Sequence, residues 1–347
     1  MIEYTVVRRY PDAFQQPVAL EEIVAMCKRT FGQGIRITLV KELEGGQFNN
    51  TYLISLLNRD PIILRVAPSP KRCIFWHEQG LMRQELAMQP LLAPIAPLLP
   101  TIIMADFTHQ IIDRDYLFQA YMSGTAWVDI NRDLTLSEHD GLWRQFGRLV
   151  RTISSVQGSA FGLVQGGPQF PRWSLTVIDW LERTIADARS ASLDTGLLCK
   201  LLELVRCNTL LLDEITQPSL LHGDLWWFNL LIGREEQGPR IAAVLDADRG
   251  SWGDPLADWT FFLLPHRATP QEQSIFWQEY GQPATSPGAW FRASVYRGLH
   301  AGKILSVAWR DGNARALNKA YRTLGNVVET LEKSYYLTGS LHAPVAC

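Results

Sequence analysis

The chain has 347 residues, 47% hydrophobic and 20% charged, with 33 basic and 35 acidic side chains and a formal net charge of −2. That length suits about two ordinary domains, and the composition is that of a folded globular protein, which excludes disorder as the main state. The balanced charge argues against a nucleic-acid or anionic-membrane partner, and no apolar run reaches the ~18 residues of a membrane span.

The first residues, MIEYTVVRRYPDAF, hold no signal-peptide core, so a cytoplasmic location is expected. Cys27, Cys73, Cys199, Cys207 and Cys347 are scattered, which predicts free thiols. Nothing in the pattern speaks to oligomeric state.

In chain order, the first half reads as strands. Arg36–Leu43, Asn50–Leu57 and Pro61–Ala67 are short β-branched or apolar runs, and EGGQFNN between the first two predicts a hairpin. Cys73 to about Leu92 reads as a helix, stopped by the proline-rich LLAPIAPLLP. Thr101–Asp106 and Asp115–Met122 read as two more strands. After SGTAW the period becomes helical: Ser137 to Val156, Trp180 to Leu212, and Trp290 to about Tyr335. On that last stretch Val295, Leu299, Gly302, Leu305 and Trp309 recur at three- and four-residue spacings, one face against a core. A β-rich unit, residues 1–121, is expected to precede a helix-rich unit, residues 122–347. The layout is a bilobal α+β protein with its ligand at the interface.

The most informative stretch runs from His222 to Trp259. Leu230–Gly233 and Ile241–Leu245 flank the polar turn REEQGPR, which predicts an antiparallel hairpin. Asn229 precedes the first strand and Asp246 follows the second, so both meet at one hairpin end. An amide oxygen and a carboxylate there suit Mg²⁺, which binds hard oxygen ligands. Asp224 lies on the loop entering the same end. The order Asp, Asn, hairpin, Asp is that of kinases: the first Asp takes the proton of the substrate hydroxyl, and the other two groups hold magnesium on ATP. His222, Asp254 and Asp258 read as loop-bracing residues, and Asp248 as a solvent-facing turn residue.

Here the chain resembles the aminoglycoside phosphotransferase and choline kinase superfamily, small-molecule relatives of protein kinases. The resemblance rests on His222-Gly223-Asp224-Leu225 with Asn229, then Leu245-Asp246, and Gly253-Asp254-Pro255 with Asp258. It implies a protein-kinase-like bilobal fold, Asp224 as catalytic base, Asn229 and Asp246 as metal ligands, and ATP with Mg²⁺ as cofactors. It extends to the ATP side through Gly45, Gly46, Asn49 and Tyr52, with Asn50 as an alternative to Asn49. Arg65 stands where the family places a cation for the α- and β-phosphates, commonly lysine. Glu85, spaced on the apolar face with Leu81 and Met88, is the favoured partner of that cation, and Glu78 is its rival. The linker DYLFQAYMSG implies adenine contacts through the carbonyl of Ala120 and the amide of Met122.

The resemblance implies phosphorylation of a hydroxyl on a small molecule, either an antibiotic such as an aminoglycoside, which would confer resistance, or a metabolite. The alternative is a catalytically weak, nucleotide-binding pseudokinase acting as an interaction module. Trp226 and Trp227 are candidates to stack on the substrate. Between Ser286 and Gly325 the chain holds Arg292, Arg297, Lys303, Arg310, Arg315, Lys319 and Arg322 against the single acid Asp311. If those helices line the cleft, a neutral or anionic acceptor is expected. If a cationic one binds instead, Asp179 and Glu182 are the acids expected to hold it.

Overall fold

Period-two burial organises the first third of the chain. In Asn50–Leu56 buried side chains alternate with half-buried ones, so one face of the strand points into a core. The protein is described here from a computed structural model covering residues 2–10, 13–46 and 48–338. Strand β1 (Glu3–Thr5), helix α1 (Leu20–Phe31), strands β2 (Ile37–Glu42), β3 (Asn50–Leu56) and β4 (Ile62–Val66), helix α2 (Leu81–Met88), and strands β5 (Ile102–Asp106) and β6 (Tyr116–Ala120) follow in order. Among the described residues the strands form one sheet, β1-β2-β3-β4-β6-β5, antiparallel except for β1 on β2. Ile23, Met26 and Cys27 of α1 are buried in one cluster with Val40, Tyr52, Ile54 and Phe118 of the sheet. The five predicted strands are present; β1 and α1 lie in a segment for which no element is predicted.

The helix expected from Cys73 to Leu92 is broken. A 3-10 turn occupies Trp76–Glu78, and Gly80 takes a positive φ of 65° before α2 begins. After α2 the prolines impose a second 3-10 turn, Ala93–Leu98. This stretch packs against the helical part of the molecule: Trp76 is buried with α-helical residues, as are Met88, Leu92, Ile95 and Leu99.

The rest is mainly helical. Strand β7 (Thr125–Ala126), helices α3 (Trp127–Ile130) and α4 (Leu136–Ser154), strands β8 (Phe161–Leu163) and β9 (Gln169–Phe170), and helices α5 (Trp173–Ser190), α6 (Gly196–Cys207) and α7 (Thr209–Leu212) come first. Strands β10 (Ser219–Leu221), β11 (Leu230–Glu235), β12 (Gly238–Val244) and β13 (Ser251–Gly253) follow. Helices α8 (Trp259–Arg267), α9 (Pro270–Tyr280), α10 (Pro287–Arg310) and α11 (Ala314–Thr338) complete the order. Two small sheets, β10-β13-β8-β9 and β12-β11-β7, sit among these helices. Local chemistry fixes the helix starts: Thr135 with Glu138 and Thr269 with Glu272 form reciprocal caps, and Ser286 accepts from Ala289 N. Val295, Leu299 and Leu305 of α10 are buried as their spacing predicts, but Trp309 is 43% exposed at the end of the helix.

Cys27, Cys73, Cys199 and Cys207 are not joined in disulfides, and Cys347 lies outside the described residues. No helix among the described residues is long and apolar enough to cross a membrane.

Candidate active site

The hairpin β11–β12 sets the centre of the site. Its register pairs Leu230 with Val244, and Leu245 N donates to Asn229 O at 2.8 Å. Asn229 and Asp246 are therefore neighbours at one hairpin end. Asn229 Nδ2 donates to the backbone oxygen of Asp224 at 2.8 Å, which leaves its own amide oxygen available as a donor to a cation. Asp246 stands at φ 58°, a left-handed conformation that Asp tolerates better than most residues. Amide and carboxylate oxygens in this arrangement fit a hard divalent ion such as Mg²⁺.

The loop that carries Asp224 is pinned on several sides. Asp258 caps α8 and also accepts from Gly223 N at 3.1 Å, while Thr260 Oγ1 donates to Leu225 O. Gly223 has φ 84°, and a Cβ there would lie 2.1 Å from Arg249 O. His222 is fully buried; its Nδ1 accepts from Asp224 N at 3.4 Å, and burial lowers its pKa to about 4, so it is a neutral brace. Burial pushes the Asp224 carboxyl up to about 8, against the pull of the Arg249 guanidinium 3.8 Å away.

Across the cleft, Arg65 Nη1 of β4 donates to both carboxylate oxygens of Glu85 on α2, at 2.7 and 2.6 Å. Its Nη2 lies 2.9 Å from Asp246 and 3.4 Å from Asp248. Burial alone would weaken this cation; the three carboxylates outweigh it and hold the guanidinium pKa above its ordinary value. Asp248 is 5% exposed and touches both Arg65 and Arg249, so it is a cleft residue and not the solvent-facing turn residue the sequence suggests. Glu78, the rival to Glu85, pairs instead with Arg310 at 2.5 Å.

The loop between β2 and β3 forms the roof. Gly45, at φ 105°, Gly46 and Asn49 line the cavity. Asn49 is buried, and its Oδ1 has no hydrogen-bond partner among the described residues. Asn50 faces away: its amide donates to Glu42 at 2.7 Å and accepts from Arg114 at 2.6 Å, which removes it as a substitute for Asn49. The sequence reading missed Gln15, whose Nε2 reaches the backbone oxygens of Gly46 and Asn49 at 3.0 and 2.7 Å.

These groups line one cavity of about 670 Å³, which holds Arg65, Asp224, Asn229 and Asp246 together. Ala120 and Met122 are not on its wall; Ala120 pairs with Ile62 in the sheet and its N–H donates to Thr101 O at 2.9 Å. Trp226 lines the cavity beside Phe228, with ring centroids 4.2 Å apart. Trp227 does not: it packs on Trp143 at 5.7 Å, as part of the helical core. The basic run on α10 and α11 divides. Lys303 and Arg310 line the cavity, Arg292 is buried against Asp254 and Glu214, and Arg297, Arg315, Lys319 and Arg322 are exposed. Asp179 and Glu182 pair with Arg183 and Arg206 and are not on the cavity wall. Arg183 on the same helix and Arg206 on α6 take up the charge that a cationic acceptor would need.

The family model of the phosphotransferase enzyme family matches residues 39–296. No curated protein sequence matches the chain. Among solved structures, a thermostable mutant of aminoglycoside phosphotransferase APH(4)-Ia, in ternary complex with AMP-PNP and hygromycin B, is similar at 19% identity. The match covers 89% of this chain and 98% of that one, with a TM-score of 0.63. A candidate fructosamine-3-kinase of Haemophilus somnus 129PT is similar at 14% identity over 88% of this chain and 97% of that one, TM-score 0.62. Aminoglycoside 2'-phosphotransferase-IIIa in its GDP complex is similar at 17% identity over 89% and 98%, TM-score 0.60. The fold is thus the kinase-like α+β fold of these enzymes.

Proposed function

The chain belongs to the phosphotransferase enzyme family, and from that premise we propose that it moves the γ-phosphoryl group of ATP to a hydroxyl of a small molecule. The observation that carries this reading is the meeting of Asn229 and Asp246 at the end of the β11–β12 hairpin, with Asp224 on the adjoining pinned loop and Arg65 opposite. A protein that only held nucleotide would have no use for a carboxylate on that loop.

In the proposed reaction the acceptor oxygen bonds to the γ-phosphorus while the bond from that phosphorus to the β–γ bridging oxygen breaks. ADP leaves with that oxygen, and the hydroxyl proton passes to Asp224 in its ionised form, which for a carboxyl pushed up to about 8 grows as the pH rises towards that value. Asn229 and Asp246 would hold Mg²⁺, which neutralises charge on the phosphates. Arg65, fixed by Glu85, would contact the α- and β-phosphates, and Gly45, Gly46 and Asn49 would cover them. Arg binds phosphate through a planar fork, so its replacement of the usual Lys preserves charge but changes geometry. Trp226 would face the acceptor, while Ala120 and Met122 lie off the cavity wall and are given no adenine contact. The relatives bind AMP-PNP with hygromycin B, or GDP, so both the donor base and the acceptor need direct measurement here. ATP as donor fits a cytoplasmic enzyme.

A specific contact favours the pseudokinase reading: the 2.9 Å pair between Arg65 and Asp246 competes with a metal for that carboxylate. Labelled γ-phosphate on ATP decides between the two. Magnesium-dependent transfer of label to members of a hydroxylated panel supports the enzyme; nucleotide binding with no transfer supports the module.

A further inference from the structure

Phosphate binding and proton transfer use neither Arg249, Arg310 nor Lys303 of the cavity wall, and of these Lys303 has no carboxylate partner among the described residues. Lys303 of α10 places its Nζ 5.0 Å from the ring centroid of Trp76 and 5.1 Å from that of Trp180. The other cavity cations are all matched: Arg65 by Glu85, Asp246 and Asp248, Arg249 by Asp224 and Asp248, and Arg310 by Glu78 and Asp311. No carboxylate among the described residues lies within 4.0 Å of Lys303.

Its neighbours add no negative charge. His300 on the same helix is buried, donates Nε2–H to Ala257 O at 3.0 Å, and is held neutral by that burial. His77 is likewise held neutral by burial beside Lys303, Arg249 and Arg310, and its Nδ1 has no hydrogen-bond partner among the described residues. An ammonium with aromatic faces on two sides, neutral imidazoles beside it and no carboxylate in reach is poorly solvated and unbalanced, and a ligand of opposite charge corrects both. Burial, with Arg249 in support, lowers the Lys303 pKa to about 7, the direction expected of an ammonium lacking a counterion.

We propose that the phosphoryl acceptor is a hydroxyl-bearing small molecule with an anionic group, carboxylate or phosphate, which seats against Lys303 from the cavity, on the side of the ammonium that Trp76 and Trp180 leave open. Arg249 connects this seat to the reaction: it acts electrostatically on Lys303 and lies 3.8 Å from Asp224. A cationic acceptor fits badly. The indole faces that attract an organic cation are already covered by the Lys303 ammonium, and the incoming charge would meet Lys303 and Arg249. This inference rests on the kinase reading and adds the chemical class of acceptor.

Four matched sugars test it: glucuronate, glucose 6-phosphate, glucose and glucosamine, each as phosphoryl acceptor, with calorimetric binding of the two anions. The anions should bind and be used with higher kcat/KM than glucose, and glucosamine should be worst. Lys303→Gln should lower the glucuronate-to-glucose specificity ratio by roughly 30-fold or more, mainly through KM, as for loss of one partner of a desolvated charge pair. Lys303→Arg should restore most of it, which a packing role for the side chain would not predict. Preference for glucosamine, failure of both anions to bind, or an unchanged ratio in Lys303→Gln overturns the inference. If glucosamine is phosphorylated in an Asp224-dependent way, the kinase reading stands and only the acceptor class falls. The tighter of the two anions shows whether carboxylate or phosphate is the group recognised.

Discussion

Asp224, Asn229 and Asp246 reach one point by separate routes: a pinned loop, the residue before β11 and the second residue after β12. Chain pairing fixes the backbone of the latter two, so a change at either should leave the hairpin intact and act on the metal, and at Asn229 also on the hydrogen bond to Asp224 O. Asp246→Ala should cut turnover by roughly 10²-fold or more, the scale for losing a preorganised charge at a phosphoryl-transfer site. Asn229→Ala should be milder and partly recovered by more magnesium. Magnesium titrations of both variants measure this, and the same half-saturating concentration as wild type in both would remove the hairpin-end metal site. Much of this was legible, because a polar turn between two apolar runs determines which residues face each other. Asp248 and Lys303 were not. A residue in a tight turn points inward or outward according to what packs over it, and here that is Arg65, 183 positions away in sequence. Lys303 reads as part of a basic stripe until Trp76 and Trp180, from the two halves of the chain, close around it.

The loop from His222 to Asn229 depends on its backbone as much as on its side chains. At Gly223 the positive φ alone costs a side-chain-bearing residue about 1–2 kcal/mol, before the clash with Arg249 O. Gly223→Ala should therefore lower the denaturation midpoint and displace Asp224, so that activity falls further than stability. Full activity in a stably folded Gly223→Ala protein would contradict the pinned-loop description. Helix α10 carries a second consequence. His300 is buried and its pKa lies at about 3 against an ordinary 6.5, so the unfolded chain binds a proton in that window and the folded protein does not. Its contribution to stability is complete above pH 6.5 and is lost as the pH falls towards 3, with a slope of about 1.4 kcal/mol per pH unit. Denaturant unfolding between pH 6.5 and 4 should show a shallower decline in His300→Gln than in wild type; identical slopes would mean that His300 titrates normally. The break at Gly80 escaped the sequence reading because Ile74, Leu81, Glu85 and Met88 keep a helical spacing across it. Periodicity does not register a glycine that turns the backbone without disturbing that spacing.

At the scale of the whole molecule, the division expected at residues 121 and 122 follows the chain, but the packing does not follow it closely. Trp76 N–H donates to Asp187 and its Nε1 to Thr184, Gln84 Nε2 donates to Gly250 O, and Arg310 binds Glu78. Through these contacts the stretch from Trp76 to Leu99 is seated on the helical part, though sequence assigns it to the strand-rich one. These contacts tie the stability of Trp76–Leu99 to the helices. Hydrogen exchange should then show amides of this stretch opening together with those of α5 and α10, while β2, β3 and the loop between them gain protection on adding magnesium and ATP. Exchange of 76–99 in step with the strands would contradict that link.

In the proposed reaction Asp224 is the acceptor of the hydroxyl proton. The most direct measurement compares phosphoryl transfer by wild type and Asp224→Asn on the best acceptor found, with ATP affinity determined on the same preparations. The predicted result is a loss of turnover of roughly 10²-fold or more, the usual scale for removing a general base, with ATP affinity little changed. An Asp224→Asn protein that keeps most of its turnover would contradict it.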